Sequence, residues 1–348
     1  MKILHIVFSF KSGGIENMLV DILNHQSINN EVHLLISDGE HDPELVAKIN
    51  QHVNIIILNR KKNILILLWL IKLIFQLIII RPDVVHSHAW KFIKILKYFN
   101  FRKILTLHNR ANEFWSYEME FCCYDQIVSI SEFVKDDFLK SGICSTKVIN
   151  NGIDFQSFRK RKEYGFDCFQ IIQVGRLFTL QKGQDILIRA LYRIIHDFGF
   201  RNVHLTLVGD GPSEEQIKTL INSLGLNNYC SLPGRKDRNW LHENLCNYNL
   251  LVQPSRNEGF GLTVIEGIAA KIPVLVSNIE GPIEIIEHGE LGYYFETESD
   301  KNCAEALMQI INTPDFKIKS LTEKSYDKAK RKYDISKTVA DYLDVYTQ

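Results

Sequence analysis

Short apolar runs rich in β-branched residues alternate along this chain with longer segments whose apolar positions recur at helical spacing, the pattern of repeated βαβ units. In the first half it predicts strands at Lys2–Phe10, Glu31–Ser37, Asn54–Leu58, Asp83–His88, Lys103–His108, Gln126–Ser129 and Lys147–Ile149. In the second half it predicts them at Phe169–Val174, His204–Val208, Cys230–Leu232, Leu250–Pro254, Val274–Val276 and Tyr293–Phe295. The fold class is therefore α/β, with two Rossmann-like domains built on parallel sheets. The break follows the turn-forming cluster Asn151-Gly152-Ile153-Asp154, and the charged stretch Arg159–Glu163 precedes a new strand. This sets the domains at 1–160 and 161–331, with a C-terminal helical segment, 332–348, expected to pack back on the first. Two such sheets in series bring the carboxyl ends of both sets of strands around one cleft, where ligands of this class bind. A two-substrate enzyme is the default expectation.

Two apolar segments invite other readings. Met1 to Phe10 has a basic residue and an apolar run, but His5 interrupts it and no small-residue cleavage site follows before Lys11, so it reads as a strand and not a signal peptide. Ile64 to Ile80 is apolar apart from Lys72 and Gln76, at the lower limit of a membrane span. A span there would strand the flanking strands on opposite sides of a bilayer, so a packed helix is expected instead. Composition agrees with an ordinary globular protein: of 348 residues 45% are hydrophobic and 24% charged, which excludes disorder and collagen. The seven scattered cysteines include no C-x-x-C pair, which points to a reduced, cytoplasmic chain. Lys+Arg and Asp+Glu are both 41, so net charge gives no reason to expect a nucleic-acid partner.

The most informative stretch is Pro254-Ser255-Arg256-Asn257-Glu258-Gly259-Phe260-Gly261-Leu262-Thr263-Val264-Ile265-Glu266, which follows an apolar strand. Glu258 should lie in the loop and Glu266 about two turns inside the following helix. Gly259 and Gly261 let backbone approach a ligand, and the helix N-terminus offers amides to an anion. Carboxylates suit sugar and ribose hydroxyls as paired acceptors. The bland alternative is a helix whose acidic first turn simply complements its dipole.

This string resembles the E-x(7)-E motif of retaining glycosyltransferases of family 4, the glycosyl transferases group 1, and the resemblance runs over most of the chain. Gly13-Gly14-Ile15-Glu16 is similar to the family's N-terminal glycine loop, and Asp83-Val84-Val85-His86-Ser87-His88 to its strand ending in His-x-His. Thr106-Leu107-His108, Ile130-Ser131-Glu132, Asn151-Gly152-Ile153-Asp154, Val174-Gly175-Arg176-Leu177, Lys182-Gly183, Val208-Gly209-Asp210-Gly211-Pro212 and Gly281-Pro282-Ile283-Glu284 follow in the family's order and spacing.

The resemblance implies the GT-B architecture and transfer of a sugar from a nucleoside diphosphate to a hydroxyl with retention, a UDP-sugar being favoured over a GDP-sugar. It implies that Arg176 and Lys182 grip the diphosphate, whose negative charge grows as the glycosidic bond breaks. It places Glu266 on the ribose and Glu258, with the amides of Phe260 and Gly261, on the donor sugar, Gly259 lying in the same binding loop. Amides near Leu262 and Thr263 would reach the phosphates, Gly234 and Arg235 would lie near the base, and Gly13 and Gly14 would meet the phosphate from the first domain. His86 and His88 share one side of their strand by its period of two. The resemblance turns His88 toward sugar and acceptor, with His108 and Ser131 beside it on the acceptor side, while His86 reads as a buried histidine bonded to backbone. The catalytic candidates are thus His88, Glu258, Arg176 and Lys182.

No Asp-x-Asp occurs, which agrees with side-chain cations in place of a metal, and no cofactor is expected. Retention without an evident nucleophile suggests a front-face mechanism; Glu258 as covalent nucleophile is the second reading, because its expected place is at the sugar hydroxyls. Gly209-Asp210-Gly211 is half a dinucleotide fingerprint, but Glu214 stands where the third glycine belongs. Ten Lys or Arg against one acid lie between residues 60 and 103, interleaved with the apolar helix and with Trp90–Phe99. Such a segment suits an anionic membrane surface, or else a core helix with a solvated basic face. The setting expected from the family is bacterial surface polysaccharide synthesis at the cytoplasmic face of the inner membrane, with a glycan or lipid-linked glycan as acceptor. The rivals are an epimerase or phosphorylase of the same architecture and a non-catalytic binding subunit.

Overall fold

The computed structural model describes residues 1–11, 13–58, 66–108, 111, 121–142 and 146–348. It contains two compact units, one of Met1–Ile153 with Ile335–Gln348, the other of Asp154–Asp334. The first division thus falls seven residues before the expected one, at the turn cluster itself, and the second three residues after it.

In the first unit seven parallel strands are ordered β3-β2-β1-β4-β5-β6-β7. They are β1 Lys2–Val7, β2 Glu31–Ile36, β3 Val53–Ile57, β4 Val84–Ser87, β5 Arg102–Leu107, β6 Gln126–Ser129 and β7 Lys147–Val148. The second unit orders six strands β10-β9-β8-β11-β12-β13. These are β8 Phe169–Val174, β9 Val203–Val208, β10 Cys230–Ser231, β11 Leu250–Gln253, β12 Val274–Ser277 and β13 Tyr293–Phe295. Every expected strand is present, several shorter than the apolar run that announced them, because the last apolar residues turn into the loops beyond the sheet. In each unit the order reverses beside the first strand, between β1 and β4 and between β8 and β11, and such reversals are where ligands settle in open parallel sheets.

Each unit has its own core. The last helix, Ile335–Thr347, contributes to the first one: Ile335, Val339, Tyr342, Val345 and Tyr346 are buried with residues of helix Gly14–Gln26 and of β1 to β6. Their spacing of three and four puts them on one helix face. Thr338 Oγ1 donates to the Asn150 carbonyl at 2.9 Å, and Arg102 Nε donates to that of Val345 at 2.9 Å. The long helix Asp315–Tyr333 belongs to the second unit, where it packs on Leu262–Ala269.

Candidate functional site

In the second unit the loops after β8 and β11 lie side by side. Lys182 ends the short helix Thr179–Lys182, and the next residue, Gly183, has φ +65°. A Cβ there would stand 1.9 Å from the Pro254 carbonyl oxygen, so only glycine lets this turn sit against the end of β11. The contact brings together residues distant in sequence. Lys182 Nζ pairs with Glu258 Oε2, which also accepts from Gln253 Nε2 at 3.1 Å. Gln253 in turn accepts from Thr263 Oγ1 at 2.8 Å and donates to Ser255 Oγ at 2.9 Å. Loop, strand end and helix start are thereby joined in one polar network.

Arg256, unremarked in the sequence, braces that network. Its guanidinium meets Asp185 at 2.7 and 2.9 Å in a two-pronged pair, Glu298 at 2.6 Å and the Thr179 carbonyl at 2.6 Å, while its amide donates to the Gln181 carbonyl at 2.8 Å. The loop bearing Glu258 is thus tied to the helix bearing Lys182. Arg176 is exposed, and its guanidinium has no ion pair among the described residues.

Helix Leu262–Ala269 starts at Gly261, at φ 108°, with no side chain capping it. Glu266 is its fifth residue, just over one turn in and not about two as expected, because the helix begins after Gly261 and not in the loop. Desolvation raises the Glu266 carboxyl above its ordinary range, with Arg238 acting against it. No hydrogen bond from a described residue reaches that carboxylate, so it can accept hydroxyl donors from outside. Phe260 is buried edge-on against Tyr333, its backbone packed closely against Gly281.

The glycines of Gly209-Asp210-Gly211 serve packing. A Cβ on Gly209 would lie 2.0 Å from the Gly175 carbonyl oxygen, and Leu177 N donates to Asp210 O at 2.8 Å, so this loop is laid against the one carrying Arg176. Gly234, at φ +73°, joins them through its carbonyl, which accepts from Gly209 N at 3.1 Å; Arg235 follows it.

In the first unit four histidines converge where β1 and β4 part. His5 and His86 are register partners on these strands. Gln26, at the end of helix Gly14–Gln26, accepts from His5 Nε2 at 2.8 Å; His5 Nδ1 lies 3.2 Å from His88 Nε2, and His88 Nδ1 lies 3.1 Å from His108 Nε2. His88, expected at the sugar, therefore has both ring nitrogens engaged, and the nitrogen left without a partner among the described residues is His108 Nδ1. His86 is bound by side chains and not by backbone: Nδ1 meets the Tyr346 phenol at 2.6 Å and Nε2 the Thr106 hydroxyl at 2.7 Å. Burial holds His5 and His108 down to about 4 and His86 and His88 well below the ordinary histidine value, the neighbouring histidines adding to it for the latter pair. All four are neutral at pH 7.

Ring nitrogens of His5, His86 and His88 lie within 4.8 Å of one another, the spacing of a possible metal set. Both nitrogens of His86 are already held by hydroxyls, so the arrangement reads first as a hydrogen-bond network. Gly13 caps helix Gly14–Gln26 with extended backbone, and the Glu16 carboxylate folds back on it. Ser131 is fully buried and caps helix Glu132–Lys140 by accepting from Val134 N at 3.1 Å.

Within the basic segment, Arg60, Lys61, Lys62, Ile64 and Leu65 lie outside the described residues. Helix Ile66–Ile80 buries Leu73, Leu77 and Ile80, while Leu68, Ile71, Phe75, Ile78 and Ile79 are each about half exposed (49–58%), with Lys72 among them. Lys91, Lys94, Lys97 and Tyr98 are exposed nearby in sequence, whereas Phe92, Ile93 and Leu96 are buried. Lys103 and Arg102 leave the basic face, since Lys103 pairs with Asp125 at 3.4 Å and Arg102 bonds the last helix.

The description "Glycosyl transferases group 1" fits residues 155–332, and "Glycosyltransferase Family 4" fits residues 12–157. An uncharacterized glycosyltransferase of Methanocaldococcus jannaschii is 30% identical over 64% of this chain, which spans 60% of that protein's length. The capsular polysaccharide biosynthesis glycosyltransferase CapM of Staphylococcus aureus is 27% identical over 89% of this chain and 88% of its own. Among solved structures, HepE of Anabaena in complex with UDP and glucose superposes over the whole of both chains with a TM-score of 0.81 at 19% identity, which fixes the fold as GT-B. With one family description spanning the second unit and a second spanning the first, the chain belongs to the glycosyl transferases group 1.

Proposed function

We propose that this protein transfers a sugar from a nucleoside diphosphate, UDP in preference to GDP, to a hydroxyl of a glycan or lipid-linked glycan, with retention of anomeric configuration and without a metal. The observation that carries the reading is the grouping of Lys182, Glu258 and the helix start at Gly261 on the β8–β11 reversal, with Arg176 on the same loop as Lys182. The likeness to HepE, solved with UDP and glucose, supports the donor class, and CapM supports a role in polysaccharide synthesis.

In this reading Arg176, Lys182 and the amides of Leu262 and Thr263 receive the diphosphate, Glu266 accepts from the ribose hydroxyls, and Glu258 with the amides of Phe260 and Gly261 orients the sugar. Gly234 and Arg235 border the base. As the bond from the anomeric carbon to the phosphate oxygen breaks, the acceptor oxygen bonds that carbon on the same face. The acceptor's proton passes to the departing phosphate oxygen, whose growing charge the two cations stabilise. His108 Nδ1, the one ring nitrogen of the four-histidine group without a partner among the described residues, accepts a hydrogen bond from the acceptor hydroxyl, and His88 acts behind it.

No helix among the described residues is long and apolar enough to cross a membrane. The half-exposed apolar face of Ile66–Ile80, with Lys72 in it and Lys91, Lys94 and Lys97 following, supports peripheral contact with an anionic bilayer at the cytoplasmic face. The test of the enzymatic reading is incubation with labelled UDP- and GDP-sugars and lipid-linked glycans in EDTA, the product's anomer being read by NMR. Retained transfer is expected; turnover of donor without acceptor would favour an epimerase, and binding without turnover a binding subunit.

A further inference from the structure

We propose that Gln26 sets the proton positions of the histidine chain and thereby fixes His108 as a hydrogen-bond acceptor. The Gln26 side chain is fully buried, and its carbonyl oxygen can only accept, so the hydrogen at the 2.8 Å contact sits on His5 Nε2. A neutral imidazole carries one hydrogen, so His5 Nδ1 is a lone pair and His88 Nε2 must donate to it across 3.2 Å. His88 Nδ1 is then a lone pair in turn, and His108 Nε2 donates to it across 3.1 Å. The chain ends on His108 Nδ1, buried and without a partner among the described residues.

The contacts at the other end of the same amide agree with this orientation. Gln26 Nε2 faces the Tyr346 phenol oxygen at 3.4 Å, leaving the phenol hydrogen for His86 Nδ1 at 2.6 Å and the His86 Nε2 hydrogen for Thr106 Oγ1 at 2.7 Å; Tyr342 meets Thr106 at 3.0 Å. Among the described residues, the titratable groups facing the chain are those histidines and the two tyrosines, from β1, β4, the end of β5 and the last helix. A reversed amide would reverse every hydrogen and make His108 Nδ1 a donor. Gln26, His5 and His88 are accordingly positioning residues: they act on substrate only through His108. That last step, in which the buried nitrogen accepts from a hydroxyl of the acceptor, rests on the proposed transfer reaction; the tautomers do not.

Nitrogen NMR of the full chain with labelled histidine reads the tautomers directly. The expected result is hydrogen on Nε2 and an unprotonated Nδ1 for His5, His88 and His108 at pH 7. Gln26→Leu should leave His108 a mixture of tautomers, whereas Gln26→Glu, which keeps an accepting oxygen toward His5, should preserve the wild-type pattern. Transfer should fall at least tenfold in kcat for Gln26→Leu with nucleoside diphosphate affinity unchanged, and Gln26→Glu should restore most of it. Hydrogen on His108 Nδ1 in the wild type, or an unaltered pattern in folded Gln26→Leu, overturns the proposal. If Gln26→Leu does not fold, the wild-type pattern and Gln26→Glu still decide it. Absence of transfer in a wild type with the expected tautomers would count against the proposed reaction and leave the proton order standing.

Discussion

Lys182 and Glu258 are 76 positions apart in the chain and form an ion pair, with Gln253 donating to the same carboxylate oxygen. A diphosphate must compete with Glu258 for this ammonium, whereas Glu266, just over a turn into its helix, has no such rival. Glu258→Gln should therefore leave nucleoside diphosphate affinity unchanged or raised while lowering kcat, by about 10²–10³ if a transition-state contact is lost. Glu266→Gln should weaken the nucleotide directly. Equal loss of nucleotide affinity in calorimetry of the two variants would show that Glu258 does not act on the sugar.

Arg256 joins the same loop to Asp185 by two hydrogen bonds, a geometry that lysine cannot reproduce. Because the pair is partly exposed, its removal should cost little stability, on the order of 1 kcal/mol or less. The loss should appear instead in KM, raised by the same amount in Arg256→Lys and Arg256→Met. A lysine variant with wild-type KM would mean that charge alone, and not the fork, holds the loop.

Four histidines with lowered proton affinity give the first unit a definite pH signature. Above pH 6.5 folded and unfolded states are both neutral there and these groups do not affect stability. Below it the unfolded chain binds protons that the folded chain refuses, so stability falls as pH drops toward about 4, where His5 and His108 begin to titrate in the fold. The slope is about 1.4 kcal/mol per pH unit for each histidine so affected. Urea unfolding at pH 7, 6 and 5 should show the first unit weakening faster than the second; equal slopes would contradict the burial of this cluster.

Much of this was legible in the sequence and some was not, for identifiable reasons. Strand positions were, since buried parallel strands are uninterrupted β-branched runs, and Gln126–Ser129, Phe169–Val174 and Tyr293–Phe295 match residue for residue. The two carboxylates stood out in a glycine-containing string after an apolar strand, whereas Arg176 and Lys182 were singled out only through the family resemblance. Gln253 and Arg256 were missed although they stand in or beside the quoted string, because a glutamine at a strand end and an arginine in a loop acquire meaning only from Thr263 and Asp185 across space. His5 was a visible signal read for something else: a histidine in an otherwise apolar buried strand needs partners, and Gln26 and His88 supply them.

The apolar and basic face of Ile66–Ile80 and Lys91–Lys97 gives a further test. Binding to anionic vesicles at low salt should weaken as salt rises, with about 1 kcal/mol contributed by each basic residue near the surface. Phe75→Ser with Ile79→Ser should reduce it without affecting the fold, since both side chains are more than half exposed. Indifference to such vesicles would leave the segment as packed helix and solvated face.

The central claim is that the second unit holds the diphosphate of a nucleotide sugar by its own cations. Titration calorimetry of UDP and GDP into the full chain, in EDTA and then with Mn²⁺, against the wild type, Arg176→Met and Lys182→Met, tests it most directly. The account predicts UDP binding that survives EDTA, is not strengthened by Mn²⁺ and weakens about tenfold or more in each variant, the size of one lost charge-assisted contact. Binding that requires Mn²⁺, or that is untouched by both substitutions, would contradict it.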